Sequence, residues 1–456
     1  MKDVPGTMRA VWIAQHGGPE VLELAEVAVP APQAGEVLVR VAAVALNNTD
    51  LWTREGAYGR PGDPEALSGW RGPIGFPRIQ GADVAGRVVA VGADVDESLV
   101  GRRVVVDPAI YDTEGPDANP VGLMGSERDG GYAEYVTAPA ERAHDVTGSP
   151  LTDDQLATLP TAYGTALGMI ERGRLRAGET VLVSGASGGV GLALVQIARA
   201  RGARVLAVSS GSKIDAVREA GAHEVLDRAE DIAEQARAAA PDGIDVALDV
   251  VAGDLVGDGL PLLREGGRWV IAGALGGYGV AFDVRRLYLH NAQVIGSAMH
   301  TPTHFGLLME LARKAEIQPV VAAAFPLDPG RSGAGGTRPQ EARGKDRHAP
   351  VSGRGPRPRT PGHGPVRAGA QTPVRRRWSS RTNRRTVGSA PHVRANRSSR
   401  RRLGSSVPSR KRASPRGDMP RPAATSAGGI RASRSTRSMI CPMCQRGGGV
   451  PSSWSI

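Results

Sequence analysis

The chain has 456 residues, enough for two or three domains, and its 57 Lys and Arg against 46 Asp and Glu give a net charge of +11. That surplus is local: 29 of the basic and 3 of the acidic residues fall in 329–456, which carries +26 and leaves −15 on the first 328 residues. An acidic body implies no polyanion partner, and no apolar run is long enough to span a bilayer, so neither nucleic acid nor membrane is expected as a partner of the folded part.

In chain order, "MKDVPGT" reads as a short extension, because the first strand-like run is "MRAVWIA" from Met8. Nothing ahead of it has the pattern of a signal peptide. Both cysteines, Cys441 and Cys444, lie in the basic segment, so the body has neither disulfide nor thiolate ligand and a cytoplasmic location is expected. Up to residue 150 the texture is β-rich: Val-rich runs such as "GEVLVRVAAVAL" and "ADVAGRVVAVG" are punctuated by Gly and Pro. From Leu151 apolar runs ("TVLVSG", "ARVLAVSS", "DVALDVV", "GRWVIAGA") alternate with helical patterns, which predicts an α/β unit with a doubly wound parallel sheet. "AQVIGSAMH" is a candidate closing strand, and one amphipathic helix and one strand follow before Asp328. Beyond it apolar periodicity stops, and Arg, Pro, Gly and Ser predict a disordered tail over 329–456.

The segment "VLVSGASGGVGLALVQIA" carries the strongest chemical signal. A buried strand, Thr180 to Ser184, runs into Gly185, Ser187, Gly188, Gly189, Val190 and Gly191, and a helix with an apolar face opens there. The first glycine permits a tight turn, the middle pair lets main chain approach a pyrophosphate over the helix N-terminus, and Gly191 allows close helix–strand packing. In this strand–turn–helix context, with three further β/α alternations, the motif points to a dinucleotide; alone it would be no more than a helix cap. The next strand ends in Ser209, Ser210, Gly211, Ser212 and Lys213, not in the carboxylate that suits a free ribose 2′-hydroxyl. Hydroxyls and an ammonium suit a 2′-phosphate, so NADPH is expected over NADH; the rival reading is a helix cap at Ser212 with an exposed lysine.

The stretches "GGPEVLEL", "ALNNTDLWTREGAY", "GFPRIQGADVAGRVVAVG", "RDGGYAEYVTAPAE", "LPTAYGTALGMI" and "GRWVIAGALGG", with the glycine segment, resemble the medium-chain dehydrogenase/reductase superfamily over about 8–328. The resemblance implies a chaperonin-10-like catalytic domain over 1–150, a Rossmann NADP-binding domain over 151–290, and a return toward the catalytic domain over 291–328. The active site is then expected in the cleft between them. Of the three motifs in which the zinc-dependent branch carries its catalytic ligands, the first has Asn47 in place of Cys, Gly-His-Glu reads Gly81, Ala82 and Asp83, and the third ligand falls on Ala157; the loop between Val106 and Gly130 lacks the four cysteines of a structural zinc site. A lone carboxylate cannot build a tetrahedral zinc site, so no zinc is expected. Without that Lewis acid the expected acceptor is a quinone or an α,β-unsaturated carbonyl, as in quinone oxidoreductase-like members. An alcohol dehydrogenase-like or enoyl-thioester reductase is the runner-up. The resemblance implies Asn47 as a substrate or nicotinamide contact, Thr49 as a hydroxyl donor and Asp50 as an orienting group, although "NNTD" is also good turn and N-cap chemistry. Tyr58 is a weaker candidate for the cleft wall. Tyr163 and Thr165 are expected on the nicotinamide side, with a core aromatic as the rival for Tyr163, and Gly273 fits a close approach to the nicotinamide. A homodimer paired through a sheet edge strand is also expected.

Three readings compete for the tail. A nucleic-acid-binding arm accounts for the charge, and "CPMC" as half a zinc site fails for want of a second pair. The third is a reading-frame shift near Asp328. Of the 29 basic residues only Lys345 and Lys411 are lysine, the bias of a GC-rich gene read out of frame. Shifting the codons of Thr337 to Pro350 by one base permits "LARKKHVGKIVMRP", similar to the helix end and "HVGKIVL" strand that close medium-chain reductases. Loss of that strand predicts an unpaired sheet edge, poor solubility and reduced activity.

Overall fold

The computed structural model describes residues 4–58, 70–72 and 74–327, and the backbone of 438–441. The first half is strand-built: β1 (Thr7–Ile13), β2 (Leu22–Ala28), β3 (Glu36–Ala45), helix α1 (Asn48–Glu55), β4 (Arg78–Ile79), β5 (Asp83–Val91), β6 (Arg103–Val106), β7 (Ala109–Tyr111), β8 (Pro120–Leu123), β9 (Tyr135–Pro139) and β10 (Ala143–Asp145). β3 is the spine of a curled sheet, antiparallel to β5 on one edge and to β9 on the other. The β3–β5 register sets Ala45 opposite Asp83, which brings the residues after β3 beside the start of β5. Side chains of β3 serve two cores: Val37, Val39, Val41 and Val44 fill the barrel interior, whereas Ala43 and Ala45 pack against the helices that follow.

Helices α2 (Asp153–Ala157) and α3 (Gly164–Arg172) lead into β11 (Thr180–Val183), α4 (Gly189–Ala200), β12 (Arg204–Ser209), α5 (Ile214–Glu219), β13 (Glu224–Asp227), α6 (Ile232–Ala239), β14 (Ile244–Asp249), α7 (Asp254–Gly259), β15 (Leu263–Ile271), α8 (Arg285–Leu289) and β16 (Gln293–Gly296). The six strands form one parallel sheet in the order β13-β12-β11-β14-β15-β16, the doubly wound nucleotide-binding order. Both faces are apolar. On β11, Val181 and Val183 point into the core beneath α3 and α4, and Leu182 into the core on the other side; Trp269 of β15 anchors the latter. The alternation of buried strands and amphipathic helices thus gives the α/β architecture expected of it.

After β16 the chain returns through α9 (Pro302–Lys314), which packs on α3, to β17 (Ala323–Pro326). β18 (Ser438–Cys441) then pairs in parallel with β3 and antiparallel with β17. The expectation of an unpaired edge is therefore corrected: backbone from the basic segment occupies the slot beside β3, because an exposed ladder of N–H and C=O groups templates any extended segment. The rest of that segment, with the arm and frame-shift readings, lies outside the described residues. No helix among the described residues is long and apolar enough to cross a membrane.

Candidate active site

A cleft of 960 Å³ opens where the residues after β3, helix α1 and the turn before α3 meet the C-terminal ends of β11, β14, β15 and β16. One wall is main chain: Gly185, Gly188, Gly189, Val190 and Gly191 all border it, and Gly273 faces them. Gly185 takes φ +56, open to glycine with little cost. A Cβ on Gly191 would come within 2.2 Å of Gly185 O, so only glycine lets α4 pack this close to the turn. The first N–H groups of α4 have no intrahelical partner and point at the cleft, as an anion site requires. Asp249 at the end of β14 fixes the turn: it accepts from Ser184 Oγ (2.5 Å), Trp269 Nε1 (2.9 Å) and the N–H groups of Val251 and Ala252. These features fit a dinucleotide pyrophosphate.

At the ribose end, Ser209 is buried with an unpartnered hydroxyl, Ser210 is half-buried, and Lys213 N–H donates to Ser210 O. Two neighbours were not legible in the sequence. Arg228 donates its backbone N–H to Ser209 O, and Asp227, paired with Ser209 across β13, brings a carboxylate oxygen within 3.8 Å of a Cβ placed on Gly211.

The opposite wall is made of side chains. Asn47 is the N-cap of α1, and Asp50 reaches back to accept Asn47 N–H at 2.8 Å, so the cap chemistry is present. Asp50 does not orient the Asn47 side chain. That role falls to Asp83, whose Oδ2 accepts from Asn47 Nδ2 at 3.0 Å. The other oxygen of Asp83 accepts twice from Thr161, from its N–H at 2.9 Å and its hydroxyl at 2.6 Å. A π-helical turn over Leu159–Tyr163 presents this N–H. Asp83 is fully buried, and burial pushes its carboxyl up to about 7 against the pull of Thr161 and Asn47; burial likewise raises Asp50 to about 6. Thr49 Oγ1 lies 3.1 Å from the Tyr58 hydroxyl, and Trp52 packs edge-to-face on the Tyr58 ring. Burial raises Tyr58 to about 12, which keeps its proton in place as a donor.

Asn47, Thr49, Tyr58, Thr161 and Thr165 border the cleft; Asp50 lies behind Asn47. Ser187 is half-buried in the glycine turn without bordering the cleft, and Tyr163 is buried with its hydroxyl donating to Gln196 at 3.0 Å. The structure thus places Tyr163 in the core, because its ring packs under α4 and away from the opening. The three positions aligned with zinc ligands hold the Asn47 amide and two alanines, Ala82 and Ala157, and the carboxylate of Asp83, next to Ala82, is bonded to the amide. Both oxygens of Asp83 are already engaged, so this donor set does not fit a tetrahedral zinc ion.

Comparison with known proteins agrees with this geometry. Residues 33–148 match the alcohol dehydrogenase GroES-like domain, and residues 189–314 match the zinc-binding dehydrogenase family. A quinone oxidoreductase of Mus musculus is 33% identical over 336 residues, covering 70% of this chain and 91% of that protein. The crystal structure of a putative alcohol dehydrogenase from Sinorhizobium meliloti 1021 is 48% identical with a TM-score of 0.66, covering 70% of this chain and 90% of that one. A 2-octenoyl-CoA carboxylase reductase solved with NADP and 2-octenoyl-CoA is 26% identical with a TM-score of 0.62, covering 71% of this chain and 83% of that one.

Proposed function

Because the chain belongs to the medium-chain dehydrogenase/reductase superfamily, we propose that it is an NADPH-dependent reductase of quinones or α,β-unsaturated carbonyls that works without zinc. The observation that carries this reading is the hydrogen bond between Asn47, at one metal-ligand position of the zinc-dependent branch, and Asp83, next to Ala82 at another. The bound nicotinamide supplies a hydride, and the residues of the chain prepare its acceptor. Apolar walls from Trp52, Trp70, Leu123 and Met299 take a flat conjugated system and exclude water. Thr49, with Tyr58 behind it, donates to the acceptor oxygen that gains negative charge, and Tyr58 keeps the proton that makes this possible. Asp83 fixes which way the Asn47 amide faces, so the amide reaches the acceptor without reorganising.

NADPH is favoured over NADH by Ser209, Ser210, Lys213 and Arg228 at one strand end; Asp227 opposes it. An enoyl thioester is the second reading, favoured by the likeness to the 2-octenoyl-CoA enzyme. A homodimer follows from the same site: β16 ends its sheet, and Tyr278 (91% exposed), Val284, Tyr288 and Leu289 beside it present apolar surface. Turnover of NADPH with a panel of quinones, enones, enoyl thioesters and simple ketones tests the reading. Quinones or enones should be reduced; turnover of simple ketones and alcohols alone would overturn it.

A further inference from the structure

A second cavity of 420 Å³ adjoins the cleft and shares Ile271, Ala272, Ser297 and Ala298 with it. Its distinguishing groups are two guanidinium side chains, Arg71 and Arg172. Arg172 donates through Nη1 to Ser297 Oγ (3.1 Å) and Met299 O (2.9 Å), which fixes the side chain. Neither arginine forms a salt bridge with an Asp or Glu among the described residues. Arg71 lies over the Trp70 ring at 5.4 Å, and nearby Glu127 is spent on the main-chain N–H groups of Trp70, Arg71 and Leu123. Asn119, which also lines this cavity, is held by Asp112.

A pair of guanidinium groups, Arg71 exposed at the mouth and Arg172 fixed and half-buried, suits an anion, and the cofactor does not supply it. The 2′-phosphate region lies at the end of β12 and the pyrophosphate at the start of α4, beside β11. The annex lies at β15 and β16. Four strand steps separate β12 from β16 and two separate β11 from β15, roughly 19 Å and 10 Å at the usual spacing. We propose that the annex binds an anionic oxygen group, carboxylate or phosphate, carried by the acceptor itself, with the conjugated carbonyl in the cleft and the charged arm between Arg71 and Arg172. This specificity rests on the reductase reading, and it divides acceptors by charge.

The test uses the full chain with NADPH and three acceptors, each with and without added inorganic phosphate: a neutral enone, the same enone bearing a carboxylate on a short arm, and its phosphate counterpart. Arg71→Gln should raise KM for the charged acceptors about tenfold and leave the neutral acceptor within twofold. Arg172→Gln should do the same by ratio, whatever its effect through Ser297 and Met299. Carboxylate against phosphate identifies the group preferred. Competition by inorganic phosphate against the charged acceptors alone would support the annex as their subsite. Equal KM for charged and neutral acceptors in the parent chain and both variants would overturn it. Should no acceptor turn over, the reductase reading fails by itself. Calorimetric titration of the carboxylate acceptor into the parent and Arg71→Gln chains then decides the annex: binding weakened by the substitution supports it, and equal or absent binding overturns it.

Discussion

At the α4 end the cleft is made of main chain, where Gly185, Gly188 and Gly191 bring N–H groups to the surface and no side chain is needed for contact. At the Asn47 end it is made of side chains, each held by a partner distant in sequence: Asp83 lies 36 residues from Asn47 and 78 from Thr161. The first construction tolerates no added atoms. The second tolerates changes in shape but not the loss of a hydrogen-bond partner. Steric substitutions should therefore act at one end and polar deletions at the other.

The largest effect is expected from Gly191→Val, whose side chain collides with Gly185 O and Ala186. NADPH binding by fluorescence titration should vanish; binding within threefold of the parent would show that the turn does not cradle the cofactor. Next, Asp83→Ala leaves Asn47 Nδ2 and Thr161 N–H buried without their acceptor. A loss of about 3 kcal/mol in denaturant unfolding and about 100-fold in kcat is expected, whereas Asp83→Asn, which keeps the shape, should lose less of both. The same carboxyl governs pH behaviour. Asp50 at about 6 and Asp83 at about 7 both lie above the ordinary 3.8, so the native state holds more protons than the unfolded one between about pH 4 and 7. Stability is thus greatest below that window and falls as pH rises through it, and unfolding curves for Asp83→Asn should show a flatter dependence.

The contrast also explains what the sequence disclosed. The glycine wall was legible because a turn, a close packing and a helix start are local requirements, written within seven residues. The parallel, doubly wound sheet followed from alternating apolar runs for the same reason. Asp83 was visible only as the neighbour of Ala82, which stands where the zinc-dependent branch has a histidine, since its pairing with Asn47 depends on the β3–β5 register and on a π-helical turn at Thr161. The resemblance implies an orienting task for Asp50, but the capping geometry of α1 turns its carboxylate to the main-chain N–H of Asn47. Tyr163 stands two residues from a cleft-lining threonine, yet the helical turn rotates it into the core beside Gln196.

Smaller effects sharpen the comparison at its edges. Lys213→Glu should raise KM for NADPH about tenfold and spare NADH; equal effects on both cofactors would place the lysine outside the phosphate site. Tyr163→Phe removes one buried hydrogen bond to Gln196 and should change kcat less than twofold while lowering stability by about 1 kcal/mol.

The central claim is that the cleft works without a metal, with Asn47 held by Asp83 where the zinc-dependent branch has a cysteine ligand. Its most direct measurement is NADPH oxidation with a conjugated acceptor by chain dialysed against a strong chelator, before and after zinc is added back. An unchanged rate in both samples, abolished by Asp83→Ala, is the result expected. Activity lost on chelation and restored by zinc would contradict it.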